Sequence, residues 1–158
     1  MHERAGLPPK VIDPCQTYVA TVNTARGSFT VRLDRGEADP ITTNNFVFLS
    51  QHAYYNHLTF HRVEDFVVQG GDPTGSGSGG PGYVLPNESN DSTFARGTVA
   101  MASNSQGVNG SQFFVLKKDS QYLSGAGQFN PFGEVISGMD VVDQIQVGDQ
   151  IVGIDIAS

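Results

Sequence analysis

Hydrophobic and polar residues alternate along much of the chain, which is the pattern of strands with one buried face. The alternation is clear at Tyr18, Ala20 and Val22. A short Ala25-Arg26-Gly27 step follows and predicts a tight turn, so the first two strands form a hairpin. By the same reasoning, strands are predicted at residues 17–24, 27–33, 59–63, 66–70, 98–103, 112–116, 132–136 and 151–156.

Two segments have helical spacing instead. Asp39-Pro40 opens the first, because Asp39 can cap free backbone N–H groups and Pro40 suits the first helical position. Phe46 and Leu49 then repeat at a helical step and indicate an inward face. The second helix is predicted at residues 139–146.

The strands do not alternate regularly with helices, which argues against a parallel sheet of βαβ units. We therefore predict a mainly β fold: a closed, eight-stranded antiparallel barrel capped by two α-helices, since closure removes the sheet edges. Residues 1–16 are rich in proline and charge and predict an N-terminal arm. Residues 17–158 are predicted to form one domain.

Composition and net charge restrict the classes of molecule that the chain is expected to bind. The 158 residues carry a net charge of −7, which argues against nucleic acid or an anionic membrane as the main partner. The single cysteine, Cys15, allows no intrachain disulfide. No apolar run is long enough to span a bilayer, and residues 1–10 do not resemble a signal peptide. A cytoplasmic protein is the default expectation, although the chain could be the soluble part of an exported one.

Several kinds of chemistry find little support. His52, His57 and His61 cluster, but their spacings match no usual zinc pattern. The Gly-rich residues 72–82 lack the lysine of a phosphate-binding P-loop, and no glycine pattern of a nucleophile elbow surrounds a serine. We therefore expect neither a metal nor a cofactor.

One constellation remains. Arg62 lies among apolar residues, and a guanidinium there is a permanent cation with fixed donors, although a surface arginine lying over its own strand is the simpler interpretation of that segment alone. Residues 101–103 and 109–114 add amides, aromatic rings and exposed strand backbone. Together these groups suit an extended peptide that carries an apolar ring.

At these motifs the chain resembles the cyclophilin-type peptidyl-prolyl cis-trans isomerases. The matching stretches are Phe-His-Arg-Val (60–63), Phe-Val-Val-Gln-Gly-Gly-Asp (66–72), Met-Ala-Ser (101–103), Asn-Gly-Ser-Gln-Phe-Phe (109–114) and Phe-Gly-Glu-Val (132–135). The resemblance implies an eight-stranded barrel with two capping helices. It also implies cofactor-free rotation about Xaa–Pro bonds in proline-containing peptides and in unfolded or flexible proteins, an activity that assists protein folding.

The resemblance also implies roles for particular residues. Arg62 corresponds to the catalytic arginine. The proline pocket is expected to be lined by Phe66, Val67, Phe114 and Leu123, with Ala102 at its rim. The peptide backbone is expected to be positioned by Gln69, Gln112 and Ser103.

The chain departs from the family pattern at three places. Many cyclophilins have a tryptophan at the outer edge of the pocket, where this chain has Tyr122, so we expect weak cyclosporin binding with catalysis intact. Residues 124–130 are longer than usual and place Phe129 or Gln128 near the position of a common pocket histidine. Glu64-Asp65 replaces a Pro-Gly turn and shortens it by one residue, which is expected to alter the turn more than the chemistry.

The altered region near Phe129 keeps an alternative open: a proline-peptide binding or chaperone module with little turnover. The presence of Arg62 favours the enzyme, because a pure binder needs no donor at the prolyl nitrogen. We expect a monomer, since no heptad seam or long apolar surface helix is visible.

Overall fold

The computed structural model describes residues 7–34, 36, 39–77, 79–86, 88, 94–104, 107–120 and 129–157. Within them the chain forms, in order, β1 (Tyr18–Thr24), β2 (Gly27–Leu33), α1 (Pro40–Gln51), β3 (Phe60–Val63), β4 (Val67–Gly70), β5 (Val84–Leu85), β6 (Thr98–Asn104), β7 (Gly107–Leu116), β8 (Asn130–Ser137), α2 (Met139–Gln144) and β9 (Ile151–Ala157). The predicted mainly β composition with two helices is confirmed.

The strands form one antiparallel sheet in the order β3-β4-β7-β6-β8-β2-β1-β9, with the two-residue β5 added beside β7. The prediction of a closed barrel is wrong, because this sheet is curled but open between β3 and β9. Among the described residues, the two ends meet at a single bridge, Thr59 to Gln150, and at nearby backbone bonds such as Phe60 N–H to Asp149 O at 2.9 Å. In the antiparallel register of this bridge, β3 continues opposite the residues that precede Ile151, so it does not run alongside β9.

The alternating residues of the first hairpin point into the core as predicted. Ala20, Val22 and Val31 are each at most 1% exposed. An aromatic cluster occupies the space between α1 and the sheet. Phe46 of α1 lies 4.8 Å from Phe132 of β8, measured between ring centroids. These contacts fix α1 against the inner face of the sheet.

The start of α1 differs from the prediction. Asp39 is the residue before the helix, but its side chain makes no capping hydrogen bond. Instead the carboxylate of Glu88 accepts from the backbone N–H groups of Thr42 at 2.7 Å and Ile41 at 2.9 Å. The free N–H groups of a helix start favour a carboxylate, and here it arrives from a distant loop.

Residues 7–16, the described part of the predicted N-terminal arm, contact α1. The side-chain oxygen of Asn44 accepts from the N–H groups of Val11 at 2.6 Å and Ile12 at 3.2 Å, and its amide nitrogen donates to Pro9 O at 3.0 Å. Ile12 is 5% exposed and belongs to the main core. The side chain of Asn44 thus both accepts hydrogen bonds from the backbone of this segment and donates one to it. Neither helix of the described chain has the length and apolarity that a bilayer crossing requires.

Candidate functional site

Arg62 is placed by the hairpin of β3 and β4. It lies directly opposite Gln69, and Val63 lies opposite Val68. The pairing register shifts between Phe60 and Arg62, so the strand bulges just before the arginine. The Arg62 side chain is 43% exposed. The hairpin therefore presents the guanidinium at the surface.

Three contacts hold that guanidinium. Arg62 Nε donates to Glu64 Oε2 at 2.8 Å, and Nη1 donates to Gln69 Oε1 at 3.1 Å. The central carbon of the group lies 5.6 Å from the centroid of the Phe66 ring, within the range of a cation–π contact. A planar group held at two nitrogens and over one ring has little freedom to turn.

The hydrogen bond to Gln69 is the first of a chain of three. Gln69 Nε2 donates to Gln112 Oε1 at 3.0 Å, and Gln112 Nε2 donates to Gly79 O at 2.8 Å. Each glutamine accepts through its oxygen and donates through its nitrogen, so every amide in the chain is used in one direction. We call Arg62, Gln69, Gln112 and Gly79 the hydrogen-bond relay. It connects the cation to the loop after β4.

A cavity of about 520 Å³ opens beside Arg62. Its apolar side is formed by a small hydrophobic cluster that is separate from the main core. Phe114 and Phe129 meet edge to face there, with centroids 5.7 Å apart and planes at 90°. Among the residues that the structure describes, the lining is formed by His61, Arg62, Phe66, Val67, Gln69, Ser76, Gly77, Ala102, Ser103, Phe114, Leu116 and Phe129.

Most of the predicted site residues meet in this cavity. Those that line it are Arg62, Phe66, Val67, Gln69, Ala102, Ser103, Phe114 and Phe129. Gln112 lies behind the wall, is 2% exposed and reaches the site through the relay. Tyr122 and Leu123 fall outside the described residues.

Sequence reasoning missed part of the lining. Leu116 follows Phe114 by two residues in β7, so strand alternation alone places both on one face. Ser76 and Gly77 come from the Gly-rich loop, where no periodicity indicates which residues face the cavity. His61, which the sequence raised only as a candidate metal ligand, also lines the cavity, and burial is the main cause that lowers the pKa of its ring.

The Gly-rich loop is wrapped around one carboxylate. Asp72 is 1% exposed and accepts hydrogen bonds from the Thr74 N–H and hydroxyl, both at 2.8 Å, and from the Gly79 N–H at 3.1 Å. A Cβ atom at Gly79 would come within 2.1 Å of Asp72 Oδ1. Burial acts to raise the pKa of Asp72, but the hydrogen bonds from Thr74, Gly79 and Gly77 together outweigh it and lower the pKa to about 2.

Replacement of Asp72 by asparagine tests this loop. The lowered pKa stabilises the fold above the usual aspartate pKa of 3.8, and this contribution is lost as the pH falls through about 2. We expect Asp72→Asn to be less stable than wild type by about 2 kcal/mol of unfolding free energy at pH 7. Between pH 4 and 2 the wild type should lose this contribution, so the difference between the two proteins should disappear. Urea unfolding across this range measures both. Asp65→Asn, at an exposed carboxylate, controls for the lost charge, and parallel curves for wild type and Asp72→Asn would contradict the assignment.

Comparison with known proteins agrees with this geometry. The family model described as cyclophilin type peptidyl-prolyl cis-trans isomerase/CLD matches residues 19–154. A peptidyl-prolyl cis-trans isomerase of Synechococcus elongatus is 40% identical over 141 residues, which cover 88% of this chain and 96% of that protein. One of Helicobacter pylori is 37% identical over 157 residues, covering 89% of this chain and 94% of the other.

Solved structures show the same likeness. The crystal structure of a Cryptosporidium parvum cyclophilin type peptidyl-prolyl cis-trans isomerase superposes with a TM-score of 0.81 at 28% identity, covering 90% of this chain and 99% of that one. A crystal structure of the same protein in the presence of the dipeptide Ala-Pro gives a TM-score of 0.79 at 30% identity, covering 89% of this chain and 99% of that one.

Proposed function

The chain belongs to the cyclophilin-type peptidyl-prolyl cis-trans isomerases, and from this premise we propose that Arg62 catalyses the rotation and that the adjacent cavity binds the proline ring. The family binds proline-containing peptides. The observation that carries the proposal is the fixed guanidinium of Arg62 at the edge of an apolar cavity.

The chemistry requires a donor rather than a nucleophile. The barrier to rotation is the partial double bond of the amide, roughly 18–20 kcal/mol. In the twisted transition state conjugation is lost, and the prolyl nitrogen acquires a lone pair that can accept a hydrogen bond. A donor directed at that nitrogen stabilises the transition state more than either planar isomer. Arg62 supplies such a donor without changing its own protonation state.

Catalysis also requires that one side of the rotating bond be held still, and the cavity can do this by binding the proline ring. A proline ring packed against Phe114 and Phe129, over Val67, stays in place while the residue before it rotates. Ala102 and Ser103, at the end of the cavity formed by β6, are placed to contact the peptide backbone. Leu123 is proposed to complete the pocket, as the family resemblance implies.

The two glutamines take different parts in this scheme. Gln69 lines the cavity, whereas Gln112 is buried behind the cavity wall and reaches the site through its hydrogen bond to Gln69. We therefore assign Gln69 to contact with the peptide. Gln112 acts through Gln69, whose amide it orients.

The alternative function, a proline-peptide binding module with little turnover, is not favoured by the comparisons. The named relatives are isomerases, and Phe129 lies in the cavity wall where it contacts Phe114. An aromatic ring at this position can pack against proline, so the departure from the family pattern leaves the pocket apolar.

The direct test is the rate at which a short Xaa–Pro peptide converts between isomers. Without catalysis this takes tens to hundreds of seconds. We expect the wild-type protein at micromolar concentration to shorten it in proportion to its own concentration, as seen in magnetisation-exchange spectra of the peptide. A well-folded protein that binds the peptide but leaves the rate unchanged would favour the binding module.

Cyclosporin added to the same assay tests the outer edge of the pocket. The chain contains no tryptophan, and Tyr122 stands where the family resemblance places one. Since a smaller ring covers less apolar surface of the inhibitor, we propose that cyclosporin binds weakly while catalysis is intact. Half-inhibition at low nanomolar cyclosporin would contradict this.

A further inference from the structure

The guanidinium of Arg62 is held on one side by a carboxylate that does not line the cavity. Arg62 Nε donates to Glu64 Oε2 at 2.8 Å, and the two side chains are 43% and 48% exposed. An ion pair this exposed adds little to the stability of a fold. The main effect of this ion pair is therefore on the orientation of the Arg62 side chain.

The shortness of the hairpin brings the two side chains together. Glu64 N–H donates to Val67 O at 2.8 Å, so only Asp65 and Phe66 remain in the turn. The extended backbone thus continues to Glu64, and residues two apart on a strand point to the same side. The Glu64 carboxylate consequently lies beside Arg62 rather than across the turn from it.

Some of the N–H donors of Arg62 are bonded to neighbouring side chains, and others are free to bond a peptide in the cavity. A guanidinium has five N–H groups in a rigid plane. Glu64 takes the one on Nε, and Gln69 takes one on Nη1. Nη2 makes no hydrogen bond within the part of the chain that the structure describes. Because the group is planar, fixing Nε and Nη1 also fixes the direction of Nη2.

We propose that Glu64 is a positioning residue for the isomerisation, holding Arg62 so that Nη2 is presented to the peptide in the cavity. The inference rests on the proposed role of Arg62. An arginine released from Glu64 retains its charge and its place over Phe66, but it spends part of its time in rotamers that direct Nη2 elsewhere. The proline-binding surface does not include Glu64, so the loss falls on kcat and not on KM.

Three single variants separate this role from a general effect of charge. Glu64→Ala is expected to lower kcat by about 3- to 10-fold, with KM within about twofold of wild type. Glu64→Gln keeps an oxygen that can accept from Nε, so its kcat is expected to stay within about twofold of wild type. Asp65→Ala is the matched control, because this substitution removes the same charge from the same turn. The Asp65 carboxylate pairs with Lys118 at 3.3 Å and not with Arg62. Asp65→Ala is expected to behave as wild type.

A double-mutant comparison tests whether Glu64 acts through Arg62. In an Arg62→Ala background the expected effect of Glu64→Ala is nil, since the group that it positions is gone. A further loss of the same size would overturn the proposal, as would an unchanged kcat in Glu64→Ala alone or an equal loss in Glu64→Gln. Wild-type protein without isomerase activity would instead refute the proposed function, and the role of Glu64 would fail with it before any variant was compared.

Discussion

Arg62→Ala is expected to lower kcat/KM for an Xaa–Pro peptide by two orders of magnitude or more. A preorganised donor that stabilises charge only in the transition state contributes on the order of 10²–10³ in rate. Arg62 meets this description because Glu64 and Gln69 hold it before the peptide arrives. The fold should be unaffected, since the side chain is 43% exposed. Isomerisation rates measured beside the unfolding free energy check both parts.

Arg32 offers a matched control for this experiment. Its side chain is 42% exposed and its guanidinium pairs with Glu134 at 2.7 Å and Asp34 at 3.0 Å, but it lies outside the cavity. Arg32→Ala should keep wild-type activity. Arg62→Lys retains the charge but not the planar fork, and an intermediate rate is expected. If Arg62→Ala retained half of the activity or more, the catalytic donor would have to be sought elsewhere in the cavity.

Truncation of two adjacent phenylalanines of β7 is expected to affect different properties: stability at Phe113 and peptide binding at Phe114. Phe113 is 1% exposed and makes edge-to-face contacts with Phe46, Tyr55 and Phe60, at centroid distances of 5.7, 5.5 and 6.2 Å. Phe113→Ala would leave a sealed void in this cluster, so we expect a loss of about 3–5 kcal/mol of unfolding free energy. Phe114 belongs to the other cluster and lines the cavity.

Phe114→Ala should therefore act mainly on peptide binding. Truncation enlarges a cavity that already opens to solvent, so the cost in stability is expected to be smaller than at Phe113. The loss of ring contact should weaken binding of the proline peptide by about 10-fold. Urea unfolding and peptide titration of both variants, at a temperature where each is folded, measure the contrast. Equal losses of stability with equal losses of binding would show that the two clusters are not independent.

The elements with strong periodicity were predictable from the sequence. The first hairpin has the predicted turn, with Tyr18 opposite Leu33 and Thr24 opposite Gly27. Closure of the barrel was not predictable, since it depends on how far two distant strands run alongside each other. Alternation shows which face of a strand is buried and does not show where its neighbour ends.

The site was predictable as a set of residues more than as an arrangement. The family motifs indicated Arg62, Gln69 and Gln112, and the structure brings the three together. Their linkage into a relay could not be read from the chain, because it depends on the pairing of β4 with β7, where Gln69 lies opposite Phe114 and diagonal to Gln112. The contact between Glu64 and the guanidinium of Arg62, which the shorter turn makes, was not read from the sequence either.

The capping of α1 has a consequence for the order in which the chain assembles. Glu88, which supplies the carboxylate, is 46 residues beyond Thr42, and Asn130, which donates to the Thr42 hydroxyl at 2.8 Å, is 88 residues beyond it. During synthesis α1 therefore emerges before either partner exists. A 12-residue helix is marginal by itself in water. The start of this helix can acquire its cap only after the chain beyond β5 has been translated, and it gains the contact from Asn130 only when β8 begins. The N-terminal end of α1 is therefore completed late, together with the later strands of the sheet.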